Sequence, residues 1–248
     1  MNYNKELPVL YKDDYFVAIN KPSGLLVHKS IIANGENCFA LQMVRDQIGK
    51  PVYPVHRLDK PTSGVLLFAL THEVARKTST LFTTNTIQKK YIAVVRGYTE
   101  EEGIIDYSLR RVKDNLFDRS ELDSQERQDA VTKYRRLATV ERPYMVDKYP
   151  TSRFSLVELT PKSGRRHQLR RHMKHISHPI IGDTKYGKGT YNNYFRDTFN
   201  CHRLMLSATE LRFKHPVTGV DLIIKSVFDA EFSLILKEFD WLDIVINK

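Results

Sequence analysis

The sequence predicts an α+β fold, with a largely antiparallel mixed sheet and flanking helices. Three observations predict it. Many short β-rich apolar runs recur along the chain, a few helical periods lie among them, and the two do not alternate as regular βαβ units. The 248 residues, 41% hydrophobic and 27% charged, fit one large domain or two small ones, with ample chain for a real core.

The elements follow in order. Val9 to Tyr11 and Phe16 to Ile19 read as short strands around a Lys12-Asp13-Asp14 turn. Lys21-Pro22-Ser23-Gly24 has the Pro and Gly placement of a type I turn, and Leu25-Leu26-Val27 follows as a buried segment. Residues 36–48 read as a helix, with Ala40, Val44 and Ile48 aligned and Gly49 as its stop. Val65 to Leu70 is a buried strand by its length. Thr71 to Asn85 is a helix with Val74, Leu81 and Phe82 inward, and Ile87 to Arg96 a strand closed by Gly97. Residues 100–130 are highly charged and read as a surface excursion with short structure. Strand character returns at Thr132 to Val140 and Arg153 to Leu159. Gly182 to Cys201, rich in Gly, Tyr and Asn, reads as a loop. Arg203 to Phe213 and Val220 to Val227 are strands, and Glu231 to Asp240 a terminal helix.

Charge narrows the function. The formal net charge is +10, which points to a polyanionic partner. From Leu159 to Gly182 there is no acidic residue, while Lys162, Arg165, Arg166, Arg170, Arg171 and Lys174 all fall there, together with His167, His172, His175 and His178. The period is helical, with Ser163 as N-cap and Leu169, Met173 and Ile176 as the buried stripe. That leaves His167, Arg170, Arg171 and Lys174 on the opposite half. Arg165 and Arg166 would sit in the first turn, where cations oppose the helix dipole. Helix stability does not explain them; a phosphate-facing surface does.

Other classes are excluded. The longest apolar run, Val65 to Leu70, cannot span a bilayer, so no membrane association is expected. The start of the chain has no signal core, and Cys38 and Cys201 are the only cysteines, which together predict a cytoplasmic protein. His172, His175 and His178 are spaced by three without a Glu or Cys beside them, so no metal is expected.

The most informative stretch is His56-Arg57-Leu58-Asp59-Lys60-Pro61-Thr62-Ser63-Gly64, ahead of a buried strand. Taken alone, Asp59 reads as the cap of a turn, paired with Arg57. The whole string, however, resembles the signature of the RluA-type pseudouridine synthases. Asn20 to His28 resembles that family's N-terminal motif, Lys90-Tyr91 its tyrosine motif, and Ser163 to Arg170 its arginine motif, continued by His178 to Asp183. The resemblance covers roughly residues 9–227. Ser163 stands where Thr is common, and the 100–130 region is individual. Val44 to Gly49, Arg170-Arg171-His172 and Pro150 to Arg153 resemble most the members acting on tRNA.

The resemblance implies the family's mixed sheet with a central cleft, in one catalytic domain over 1–248 without a separate N-terminal RNA-binding domain. It implies isomerisation of a tRNA uridine, expected at uridine 65 of the T-arm stem. The expected enzyme is a monomer. Nothing is oxidised and no group is lost, so no cofactor is expected. Asp59 would be the essential carboxylate, either attacking C1′ or removing the C2′ proton; sequence leaves both open. Arg170 would keep it ionised, from the edge between the apolar and basic faces of the helix. Tyr91 would stack on the uracil or help remove the C5 proton. The target base would be flipped out, with Arg57 filling its place. His56, Arg165, Arg166, His167, Arg171 and Lys174 complete the expected RNA contacts. The competing readings are the same chemistry on ribosomal RNA and a non-catalytic RNA-binding protein.

Overall fold

A computed structural model describes residues 6–28, 38–111 and 126–246. Residues 36 and 37 of the expected first helix and 112–125 of the expected excursion lie outside the described residues. The strands are β1 (Val9–Lys12), β2 (Phe16–Lys21), β3 (Tyr53–Pro54), β4 (Ser63–Ala69), β5 (Gln88–Arg96), β6 (Glu102–Asp106), β7 (Leu109–Arg110), β8 (Arg127–Gln128), β9 (Val131–Arg142), β10 (Ser152–Pro161), β11 (Leu206–Lys214) and β12 (Asp221–Lys225). The helices are α1 (Ala40–Ile48), α2 (His72–Thr83), α3 (Gln168–His175), α4 (Gly189–Phe199), α5 (Ala230–Glu238) and α6 (Leu242–Ile246).

The main sheet runs β1-β2-β4-β11-β5-β10-β9-β6, with β12 beside β11 and β3 beside β4. Among the strands of the described residues, only β4 and β11 pair in parallel. The expected α+β class holds. β4 is buried along its whole length, which explains its unbroken apolar sequence. No helix among the described residues is long and apolar enough to cross a membrane.

The β4–β11 contact is close because its residues are small. Ser63 and Gly64 face Ser207 and Ala208. Gly64 has φ +108°, and a Cβ there would run into the Ala208 carbonyl. The Ser63 and Ser207 hydroxyls lie 3.1 Å apart, and the buried Arg203 donates to Ser63 across 2.8 Å.

Two readings need correction. Residues 189–199 form helix α4, not a loop. Tyr191 and Phe195 are buried one turn apart, and Tyr194 and Phe199 pack on the same core. This aromatic period outweighs the poor helix propensity of Gly and Asn. The excursion also contains an edge strand of the main sheet, β6, paired with β9 through Ile104–Lys133 and its neighbours. Its charges hide that role because an edge strand keeps one side in water.

Candidate active site

Sheet register assembles the site. Tyr91 on β5 faces Ala208 on β11, and Ala208 faces Gly64 at the start of β4. Strands lie about 4.8 Å apart, so the loop that carries Asp59 opens roughly two strands from Tyr91. On its other side, Tyr91 faces Leu159 of β10, whose end releases the arginine segment. Three motifs distant in sequence therefore meet at one end of the central strands.

The N-terminal motif secures the Asp59 loop. Lys21 is fully buried, and its ammonium donates to the carbonyls of Pro22, Leu25 and Lys60 at 2.9, 2.8 and 3.1 Å. Gly24 N–H also donates to the Lys60 carbonyl, and the Ser23 hydroxyl to that of Pro61. Burial, then the charge of Arg203, pulls the Lys21 amine down to about 7, with Asp59 opposing. Three carbonyl acceptors match the three protons of an ammonium and also work against that pull. The turn itself is closed by the Asp59 carbonyl, which accepts from Thr62 N–H. The Asp59 side chain faces Arg170 and His167.

Arg170 donates to Asp59 Oδ2 across 3.3 Å through Nη1. Its Nε and Nη2 grip Asp183 at 2.8 and 2.9 Å. Burial alone would push the Asp183 carboxyl up. The Arg170 bonds and the backbone N–H groups of Tyr186 and Lys185 outweigh it and hold the group below the usual range. Asp183 stands at the end of the arginine motif in sequence; its partnership with Arg170 escapes sequence reading because it spans a helix and a turn.

α3 begins at Gln168, later than the spacing suggests. Arg165 and Arg166 precede it rather than occupying its first turn. Ser163 is no N-cap: its hydroxyl donates to the Gln168 side chain and accepts from Val131 N–H. His167 takes the N-cap position with φ 54°, a left-handed conformation uncommon outside Gly and Asn. This turn directs its ring to Asp59, 3.8 Å away, and to the Tyr186 hydroxyl, 2.9 Å away. Burial and then, against the pull of Asp59, the charges of Arg170, Arg166 and Lys185 bring His167 to about 4, so it is neutral at pH 7. Arg170 is buried beside Leu169 and Met173, not on the exposed half with Lys174.

The cleft has a volume of about 560 Å³. Among the described residues, Arg57, Lys89, Arg110, Arg111, Arg165, Arg166, Arg170 and Arg171 line it, against Asp59 as the one acidic lining residue. His56, His167 and Tyr91 line it too, whereas Lys174 is exposed elsewhere on α3. His56 is a weak candidate for phosphate. Its ring stacks on Phe82 at 4.7 Å and accepts from Leu67 N–H, and burial, then Lys89, pulls it down to about 3. Burial and the charge of Asp59 raise the Tyr91 hydroxyl pKa.

Arg110, Arg111 and Lys89 are further lining residues that sequence reading missed. Arg110 belongs to the small β7–β8 sheet, which docks on α3: Arg171 donates to the Arg110 carbonyl, and His172 meets the Tyr107 carbonyl and the Thr132 hydroxyl. His175 stacks on Tyr107 at 3.7 Å, and His178 bonds the Arg96 carbonyl. The three spaced histidines thus have structural partners, His172 and His175 on Tyr107 and His178 on Arg96.

The chain is similar to known proteins along nearly its whole length. A family model described as RNA pseudouridylate synthase matches residues 15–175. A protein of Vibrio parahaemolyticus called tRNA pseudouridine synthase C is 50% identical over 95% of this chain and 96% of its own length. One of the same name from Haemophilus ducreyi is 50% identical over 95% and 97%. The solved structure of human RNA Pseudouridylate Synthase Domain Containing 4 superposes with a TM-score of 0.70 at 25% identity, covering 94% of this chain and 93% of that one. A carboxylate faced by a clamped arginine in a basic cleft, and these similarities across nearly the whole chain, lead to one conclusion: the chain belongs to the RNA pseudouridylate synthase family.

Proposed function

We propose that the protein isomerises a uridine to pseudouridine in tRNA, at uridine 65 of the T-arm stem. The observation that carries this reading is Asp59 held against Arg170 in a cleft lined, among the described residues, by eight lysines and arginines. The relatives' names supply the RNA class.

The N1–C1′ bond breaks, the uracil turns, and C5 bonds to C1′. C5 loses a proton and N1 gains one, so atoms and electrons balance without a cofactor or metal. Asp59 acts as nucleophile at C1′ or as base at C2′; both require a carboxylate at this point. Arg170 presents fixed positive charge to it. Tyr91 stacks on the flipped uracil, and its raised pKa argues against a phenolate base. Arg57, exposed at the rim, takes the place of the displaced base. Arg165, Arg166 and Arg171 contact phosphates. His56 and His167 shape the cleft in neutral form, and Lys174 reaches only RNA outside it. The enzyme works as one catalytic unit, as a monomer, in the cytoplasm where tRNA is found.

The test is pseudouridine mapping of unmodified tRNA treated with wild type or Asp59→Ala. Wild type should convert one uridine and the variant none. Equal product from both would sink the reading. Loss of a ribosomal site alone, in RNA from a strain lacking the gene, would move the same chemistry to ribosomal RNA.

A further inference from the structure

A second groove, of about 820 Å³, opens at the opposite end of β5 and β10. Among the described residues, Arg96, Lys148, Arg153 and Lys188 line it, against Asp147 as its one acidic lining residue. Asp147 is already paired with Lys188. Arg153 meets Glu141 at 3.3 Å, yet its side chain stays 57% exposed. The groove is therefore positive overall.

Its aromatic rings support the cations. Arg96 lies over Tyr191 at 5.5 Å, Lys148 over Tyr149 at 4.9 Å and Arg153 over Tyr98 at 5.2 Å. Each cation takes up a ring face, so these rings are poorly placed to stack bases; they hold charges in position. That arrangement suits a phosphodiester backbone rather than an unpaired base.

The groove is also within reach of RNA bound in the cleft. Arg96 lies five residues along β5 from Tyr91, about 17 Å. The short segment from Asp183, which clamps Arg170, to Lys188 joins the two places directly. A duplex that continues past the target stem can touch both.

We propose that this groove is a second RNA-contact surface, which grips the phosphodiester backbone of the tRNA beyond the stem that carries the target uridine. The proposal rests on the tRNA reading above. Binding is measured for wild type, a Lys148→Ala/Arg153→Ala double variant and Lys148→Arg, with a full unmodified tRNA transcript and with a hairpin containing only the target stem and loop. The double variant should bind full tRNA about tenfold more weakly, with a salt slope smaller by about two. Lys148→Arg should bind like wild type, and all three proteins should bind the hairpin alike. Unchanged affinity for full tRNA would overturn the proposal and leave an acidic protein as the groove's partner. Equal weakening on the hairpin would overturn it as well. Turnover by wild type is read in parallel: no conversion with the binding pattern intact refutes the isomerase reading alone, and conversion without that pattern refutes the groove alone.

Discussion

Arg170 is clamped by Asp183 through two bonds of 2.8 and 2.9 Å, and this clamp aims its remaining nitrogen at Asp59. Asp183 thus positions Arg170 against the carboxylate proposed as catalytic. Asp183→Ala leaves a buried guanidinium without its partner, at a cost of about 3–5 kcal/mol in stability. Asp183→Asn keeps the shape but weakens the grip. Its kcat should fall by about 10–100-fold with KM for tRNA little changed, as steady-state kinetics would show. A rise in KM at constant kcat would contradict the positioning role. Arg170→Lys should lose most of kcat, because an ammonium cannot reproduce the guanidinium fork.

Gly64 sets how closely β4 approaches β11. Gly64→Ala places a Cβ against the Ala208 carbonyl, at a φ that alanine rarely adopts. A loss of more than about 2 kcal/mol is expected in urea unfolding. A variant as stable as wild type would show that the two strands can part without cost.

Stacking by Tyr91 separates ring from hydroxyl. In the Asp59→Ala background, where no turnover intervenes, Tyr91→Phe should bind tRNA within about twofold of Tyr91. Tyr91→Leu should bind more weakly by about 1–3 kcal/mol, the worth of one stacked base. Equal affinity for the two variants would remove the stacking role.

Acid should destabilise the fold. His56 and His167 have folded pKa values of about 3 and about 4, below the ordinary 6.5. The unfolded chain therefore binds more protons between those values and pH 6.5. The contribution to stability is complete above pH 6.5 and is lost as pH falls toward 4 and then 3. Urea midpoints should drop between pH 7 and pH 5. His56→Leu should be less stable at pH 7, since Leu67 N–H loses its acceptor, but its midpoint should depend less on pH in this range. An unchanged pH dependence in that variant would show that His56 does not carry it.

Local signals were the legible part. The apolar run of β4 and the 87–96 strand appear in the structure close to where spacing puts them. The Asp59, Tyr91 and Arg170 motifs could be picked out because each is a short string whose residue types are contiguous. α4 was hidden because its helix rests on aromatic packing at Tyr191 and Phe195, not on propensity. Ser163 and the start of α3 were misplaced because Gln168 binds the Ser163 hydroxyl and the Val131 carbonyl, partners on another element.

The sequence by itself determined the chemistry's ingredients: a carboxylate, an arginine, a tyrosine and an excess of positive charge without acidic neighbours. It also determined the strand-rich α+β class, since both depend on residue type and local period. Only the tertiary structure decided which atoms meet. Arg170 reaches Asp59 across 111 positions of chain. Asp183 holds it there, Lys21 ties down the loop, and Arg110 of β7 joins the rim. These contacts follow from sheet register and burial, which bring distant segments together and leave no trace in the spacing of any one of them.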